Sequence, residues 1–129
     1  MKITKFEDLA IWRLSLRVTK LVYDLTSSKV FSRDFGLQSQ LRRAVVSISS
    51  NIVEGYEKNN NNELIRYLKI SKGSVGEVRN QLYIAKDINY ISSSEFNNLN
   101  SLLLSLANQI GRFISYLQKI RKLSKSSTR

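Results

Sequence analysis

Apolar positions recur every three or four residues in four long blocks, separated by polar, turn-forming stretches. The first block carries Ile11, Leu14, Val18, Leu21, Val22 and Leu25 on one helical face, and Thr4 with Glu7 has the spacing of a capping box at its start. In the second, Leu37, Leu41, Ala44, Val45, Ile48 and Ile52 form the stripe, with Asp34 or Ser32 placed to cap it. Gly55 marks either its end or a close helix contact. The third runs from about Glu63 with Leu64, Tyr67, Leu68, Ser71, Val75, Val78 and Leu82, capped by Asn61 or Asn62. The fourth opens on a Ser92–Glu95 capping box and has the longest stripe: Phe96, Leu99, Leu103, Leu106, Ile110, Phe113, Ile114, Leu117 and Ile120. Residues 26–34 read as a polar connection plugged by Val30 and Phe31. The pattern predicts an all-α fold, an antiparallel up-down-up-down four-helix bundle over residues 1–123. The fourth helix is expected to fray near Leu123, and 124–129 to be a disordered basic tail.

Two of these helices have a second apolar face. Leu9, Trp12, Leu16 and Tyr23 lie roughly 160° round the first helix from its core stripe, and Ile70, Gly73, Ile84 and Ile88 lie opposite the core stripe of the third. A bundle helix buries one face within its own chain, so the simplest cover for a second is another subunit. Trp12 can alternatively be a large core residue seen at its edge. Gly73 and Gly76 each cost about 1 kcal/mol inside a helix relative to alanine, which suits a site where a neighbouring helix comes close.

The second helix carries an unusual polar stripe, Gln40, Arg43, Ser47, Asn51 and Glu54. Serine and asparagine compete with the backbone and are mediocre helix formers, so an ordinary solvated face more often carries Lys, Glu and Gln. The stripe reads first as a hydrogen-bonding seam that orients helices within or between subunits. A ligand site is the second reading, and a plain solvated face the bland one.

Charge changes the picture further. The 129 residues carry a net charge of +11. All ten acidic side chains lie in residues 1–95, whereas 96–129 hold six basic ones and no acid. This favours a polyanionic partner. The candidate phosphate contacts are Arg13, Arg17 and Lys20 on the first helix, and Arg66, Lys69, Lys72 and Arg79, with Lys86, along a flank of the third. Arg112, Lys119, Arg121 and Lys122 extend the set on the fourth.

With no histidine and no cysteine, the commonest general base, metal ligand and thiol nucleophile are all missing. No carboxylate pair has metal-site spacing, and KGSVGE lacks the preceding strand of a phosphate-binding loop. Glu54 and Glu77 fit capping, ion-pair or interface roles better than general-base roles. No enzyme activity, cofactor or metal is expected. No apolar run approaches the ~20 residues of a membrane span, and acids interrupt the N-terminus where a signal peptide is apolar, so a cytoplasmic protein without membrane contact is expected.

Three ordered motifs carry a family resemblance. FEDLAIW matches at Phe6, Leu9 and Trp12. GLQSQLRRAVVSISSNIVEGY matches at Gly36, Leu37, Gln40, Arg42, Arg43, Ser47, Ile48, Asn51, Ile52, Glu54 and Gly55. RYLKISKGSVGEVRNQL matches at Leu68, Gly73, Ser74 and Glu77. Together they resemble the bacterial four-helix-bundle family of 23S rRNA intervening-sequence proteins, also labelled S23 ribosomal protein-like. One departure is Val30–Phe31, where the family often has a proline. The resemblance implies a homo-oligomer, a pentameric barrel like the related accessory variability proteins of diversity-generating retroelements, which bind a reverse transcriptase and nucleic acid. Two functions therefore compete. One is a non-enzymatic oligomer that binds nucleic acid, RNA first, through basic surfaces. The other is a protein-interaction scaffold or accessory subunit for a reverse transcriptase-like partner.

Overall fold

Short polar side chains set where the helices begin. A computed structural model describes residues 2–127, with side chains described through Leu123. It is all-α, with no strand among the described residues. A 3-10 turn, Phe6–Asp8, precedes α1 (Ala10–Leu25), α2 (Lys29–Arg33), α3 (Phe35–Glu57), α4 (Asn61–Asp87) and α5 (Ser93–Ser127). Asp34 caps α3 by accepting the Leu37 amide at 3.1 Å. Its other oxygen accepts the Tyr90 hydroxyl at 2.9 Å, which ties the start of α3 to the α4–α5 link and raises the Tyr90 pKa. Asn60, one residue before the expected pair, caps α4 by accepting the Glu63 amide. Ser92 and Glu95 form the expected reciprocal box, with bonds of 2.9 and 3.0 Å.

The N-terminal box falls one residue from its expected place. Asp8, not Glu7, accepts from the Thr4 amide, the Thr4 hydroxyl and the Lys5 amide. The Thr4 amide bond, first of these, lowers the Asp8 pKa because it favours the ionised carboxylate. This box closes the 3-10 turn, so α1 starts only at Ala10.

α1 packs against α3 and α5, and α4 packs against the same two helices, so the four long helices form a closed cycle of neighbours. Val18, Val22, Leu41, Ile48, Ile52, Leu68, Leu82, Leu103 and Ile110 meet in the middle, fully buried. Burial corrects the stripes at several positions. Leu21 is exposed, and Tyr67 is half-buried, whereas Ile65 and Ala85 join the core. Phe113 and Ile120 are only half-buried at the edge of α5. The segment expected as a loop contains the five-residue α2. Phe31 alone is its plug, fully buried edge-on against Tyr90 at 5.4 Å, while Val30 is exposed.

Gly55 is buried in the last turn of α3 and faces α4 closely, so it stands near the helix end and in a close helix contact at once. A Cβ there would lie 2.7 Å from the Tyr67 Cβ and 3.4 Å from the Leu64 Cα. Lys58, Asn59 and Asn60 make the link, and Asn59 takes the left-handed conformation at φ 52° that reverses the chain. At the other end of α4, Asn89 at φ 64° takes the same conformation. There Tyr90 N–H donates to the Ala85 carbonyl and Asn89 N–H to that of Lys86, the Schellman pattern. α5 continues helical to Ser127, past the expected fraying at Leu123. The expected tail over 124–129 overlaps α5 as far as Ser127, and its last two residues lie outside the described residues. No helix among the described residues is long and apolar enough to cross a membrane.

Candidate nucleic-acid interface

The polar stripe of α3 lies along its contact with α4. The hydroxyls of Ser47 and Ser74 are 2.9 Å apart. Asn51 Nδ2 donates to the Ser47 carbonyl at 2.8 Å and to its hydroxyl at 3.0 Å. One turn away, the buried Ser71 hydroxyl donates to the Ile48 carbonyl at 2.8 Å. At the seam's ends the contacts lengthen to 3.4 Å, from Gln81 Nε2 to Gln40 Oε1 and from the Tyr67 hydroxyl to the exposed Glu54. Gln81 is buried and its Oε1 has no partner among the described residues. Reversing that amide moves the deficit to Nε2 without removing it. Arg43 is exposed beside the seam and shares an open groove with Phe35, Ser39, Gln40 and Glu77. These pairings step forward along α4 as they step back along α3, so the two helices are antiparallel.

The second apolar faces divide. Leu9 is buried in the chain's own core and Trp12 is half-buried edge-on against Phe6 at 5.2 Å. The reason is the 3-10 turn, which folds Phe6 and Leu9 back against α1 and covers that end of the stripe. Tyr23 is 39% exposed with its ring under the Arg42 guanidinium at 4.5 Å. Leu16, Ile70, Ile84 and Ile88 remain exposed on the outer surface. Among the described residues no neighbouring element lies within 4 Å of a Cβ built on Gly73 or Gly76, so no close helix there accounts for these glycines. Gly73→Ala is therefore expected to raise the stability of the isolated chain by about 1 kcal/mol in urea unfolding. A loss instead would mean that another helix seats on that face.

The structure separates the basic candidates. Arg13 donates to the Glu7 carbonyl, Lys20 pairs with Asp24, and Arg79 donates to Asn100 on α5. Arg66 pairs with Glu63 at 2.8 Å and stacks on Tyr67. The hydrogen bond lowers the Glu63 pKa and raises that of Arg66. Lys86 sits over the Phe96 ring, and Arg121 donates to Asn62. Arg17, Lys119 and Lys122 are exposed or near the surface without an ion pair among the described residues. Lys69 and Lys72 of α4 and Arg112 of α5 line one groove, which brings cations from two helices together.

Sequence reading missed Arg42 as a fold element. Its Nε donates to the buried Thr26 hydroxyl at 2.9 Å, and one terminal nitrogen donates to both the Tyr23 carbonyl and the Ser27 hydroxyl. A cation is favourable at the carbonyl end of α1. Gln38 completes this cap by donating to the Thr26 carbonyl.

A crystal structure of a protein of unknown function from the S23 ribosomal protein family of Bacteroides thetaiotaomicron is similar in fold. It shares 20% identity, superposes with a TM-score of 0.76, and the match covers 81% of this chain and 95% of that one. No curated protein matches the chain. The 23S rRNA-intervening sequence protein model matches residues 7–112, the span that holds the polar seam, the Gly55 contact and the converging cations. The chain belongs to the 23S rRNA-intervening sequence protein family.

Proposed function

We infer that this chain is a non-enzymatic, homo-oligomeric nucleic-acid-binding protein of the cytoplasm, pentameric as the family resemblance implies, with RNA as the first expected ligand. Its unit is an antiparallel up-down-up-down four-helix bundle over residues 1–123. The closed cycle of helix neighbours supports that arrangement, as do contacts that pair early residues of one helix with late residues of the next. The observation that carries the binding reading is uncompensated charge. Lys20 and Arg66 alone among the described basic side chains stand in ion pairs, against a net charge of +11. Such a surface attracts a polyanion, and a symmetric assembly multiplies weak phosphate contacts.

Oligomerisation is supported by the exposure of Leu16, Ile70, Ile84 and Ile88 on outer faces. Light scattering is expected to give a multiple of the 14.9 kDa chain mass. Leu16→Arg and Ile84→Arg are expected to dissociate the assembly while helical circular dichroism stays unchanged. A wild-type monomer at micromolar concentration would overturn the oligomer. RNA binding that weakens steeply as salt rises supports the ligand, whereas binding insensitive to salt, or absent at moderate salt, refutes it. Cleavage of RNA or DNA with an added divalent metal would refute the non-enzymatic reading.

The second reading is the scaffold or accessory subunit. Phe35, 75% exposed at the start of α3, shares an open groove with exposed Val46 and with Ser39 and Ser50, and such a surface suits a protein partner. A pull-down that recovers nucleic acid and no protein counts against it.

A further inference from the structure

The groove between α4 and α5 is built unlike the rest of the basic surface. It holds about 730 Å³. Lys69 and Lys72 line it from α4, and Asn108, Arg112 and Ser115 line it from α5. None of its lining residues is acidic. None of the three cations forms an ion pair among the described residues. Cations gathered on both walls of a groove repel one another, and a polyanion relieves that repulsion. Asn108 and Ser115 add hydrogen-bond donors between the charges. Gly111 keeps the floor low: a Cβ there would sit 3.5 Å from Lys72 Cε.

The shape selects the kind of polyanion. The lining runs from Ala107 to Ser115 along α5, about 12 Å at 1.5 Å per residue. That is about three nucleotides of a stacked strand at 3.4 Å each, more than a single phosphate needs. The unpaired bases of a single strand can be splayed onto protein side chains, whereas an A-form duplex keeps its bases stacked inside and its deep, narrow major groove closed to side chains.

A second observation points the same way. Tyr116 is outside the groove's lining but follows Arg112 by one helical turn, and the residue is 59% exposed. A strand that reaches Arg112 meets this exposed aromatic as a stacking platform for a base, and stacking is available only where bases are unpaired.

We propose that the α4–α5 groove binds single-stranded nucleic acid, with phosphates against Lys69, Lys72 and Arg112 and a base stacked on Tyr116. This rests on the nucleic-acid-binding reading and narrows it to one site and one form of ligand.

The test is fluorescence anisotropy of the full chain with a labelled single-stranded oligouridylate and a duplex RNA of the same length. K69Q/K72Q/R112Q is compared with K2Q/K29Q/R33Q, which removes the same charge from exposed residues elsewhere. The groove variant is expected to lose about ten-fold or more in single-strand affinity, and its log–log salt slope to fall by about 2, as three fewer phosphate contacts require. The control loses about three-fold at most. Tyr116→Leu is expected to lose about ten-fold on the single strand and nothing on the duplex, and Tyr116→Phe to retain binding. Equal losses from the two charge variants overturn the site, and so does a Tyr116→Leu variant that binds the single strand normally. If the wild-type chain binds neither RNA, the broader reading falls with it. If it binds and the groove variants match it, this proposal alone falls.

Discussion

Phe31→Ala is expected to cost about 3–5 kcal/mol, the largest loss from any single truncation considered for this chain. Phe31 is fully buried, yet it sits on a helix of only five residues between α1 and α3. α2 is too short to be stable by itself, since isolated helices need about 12–15 residues even to be marginal. The ring is therefore what holds α2 in place. Its edge-on contact with Tyr90 also reaches the α4–α5 link, and the Tyr90 hydroxyl in turn donates to Asp34 at the start of α3. Removing the ring leaves a cavity at the meeting point of three chain connections. With total stability of about 5–15 kcal/mol for a domain of ordinary size, the variant is expected to be largely unfolded at 37 °C or to show a much lower urea midpoint. Phe31→Leu keeps most of the volume and is expected to lose about half as much. An alanine variant with an unchanged midpoint would show that Phe31 does not anchor this corner.

Gly55→Val is expected to cost about 3 kcal/mol by forcing α3 and α4 apart. The added Cβ meets the Tyr67 Cβ at 2.7 Å and the Leu64 backbone at 3.4 Å, and neither atom can rotate away. Gly55→Ala meets the same Cβ but gains about 1 kcal/mol of helix propensity, so its net loss is expected to be smaller. The collision can be assigned by a double-mutant cycle in urea. Tyr67→Ala leaves the Cβ in place and should leave the Gly55→Ala penalty intact. Tyr67→Gly removes it and should shrink the penalty. A Gly55→Ala protein more stable than wild type would show that the helices part without strain.

The helices themselves were legible because burial repeats with the helical period, and Leu41–Val45–Ile48–Ile52 alone nearly defines the inner face of α3. The Ser92–Glu95 box was legible because both of its bonds are local. What escaped was polar burial and cross-helix register. Ser15 and Thr26 are fully buried although they are polar, since each hydroxyl returns to its own helix, at the Trp12 and Val22 carbonyls. Nothing in local spacing announces that. Arg42 stood out only as a family-motif match, and its place at the end of α1 depends on how two helices meet. The same holds for the groove. Lys69, Lys72 and Arg112 were all candidates, but only the register of α4 against α5 brings them together, and it gives Arg79 to Asn100 of α5, while Arg66 is held by Glu63 of its own helix. The polar stripe was readable as unusual from its serines and asparagine. Its partners Ser71 and Ser74 lie in a different helix.

The three-residue link between α3 and α4 also bears on the order in which the chain assembles. Closing so short a loop costs little chain entropy, while bringing α1 against α5 means closing most of the chain length. The α3–α4 hairpin can therefore form early, with its Ser47–Ser74 and Ser71–Ile48 bonds fixing the register before the outer helices arrive. Contacts of short sequence separation favour fast folding. The chain has no proline, so no prolyl isomerisation delays it. If the proposed oligomer forms, a slow refolding phase is expected to report the joining of subunits, and to quicken as protein concentration rises, rather than the folding of one chain.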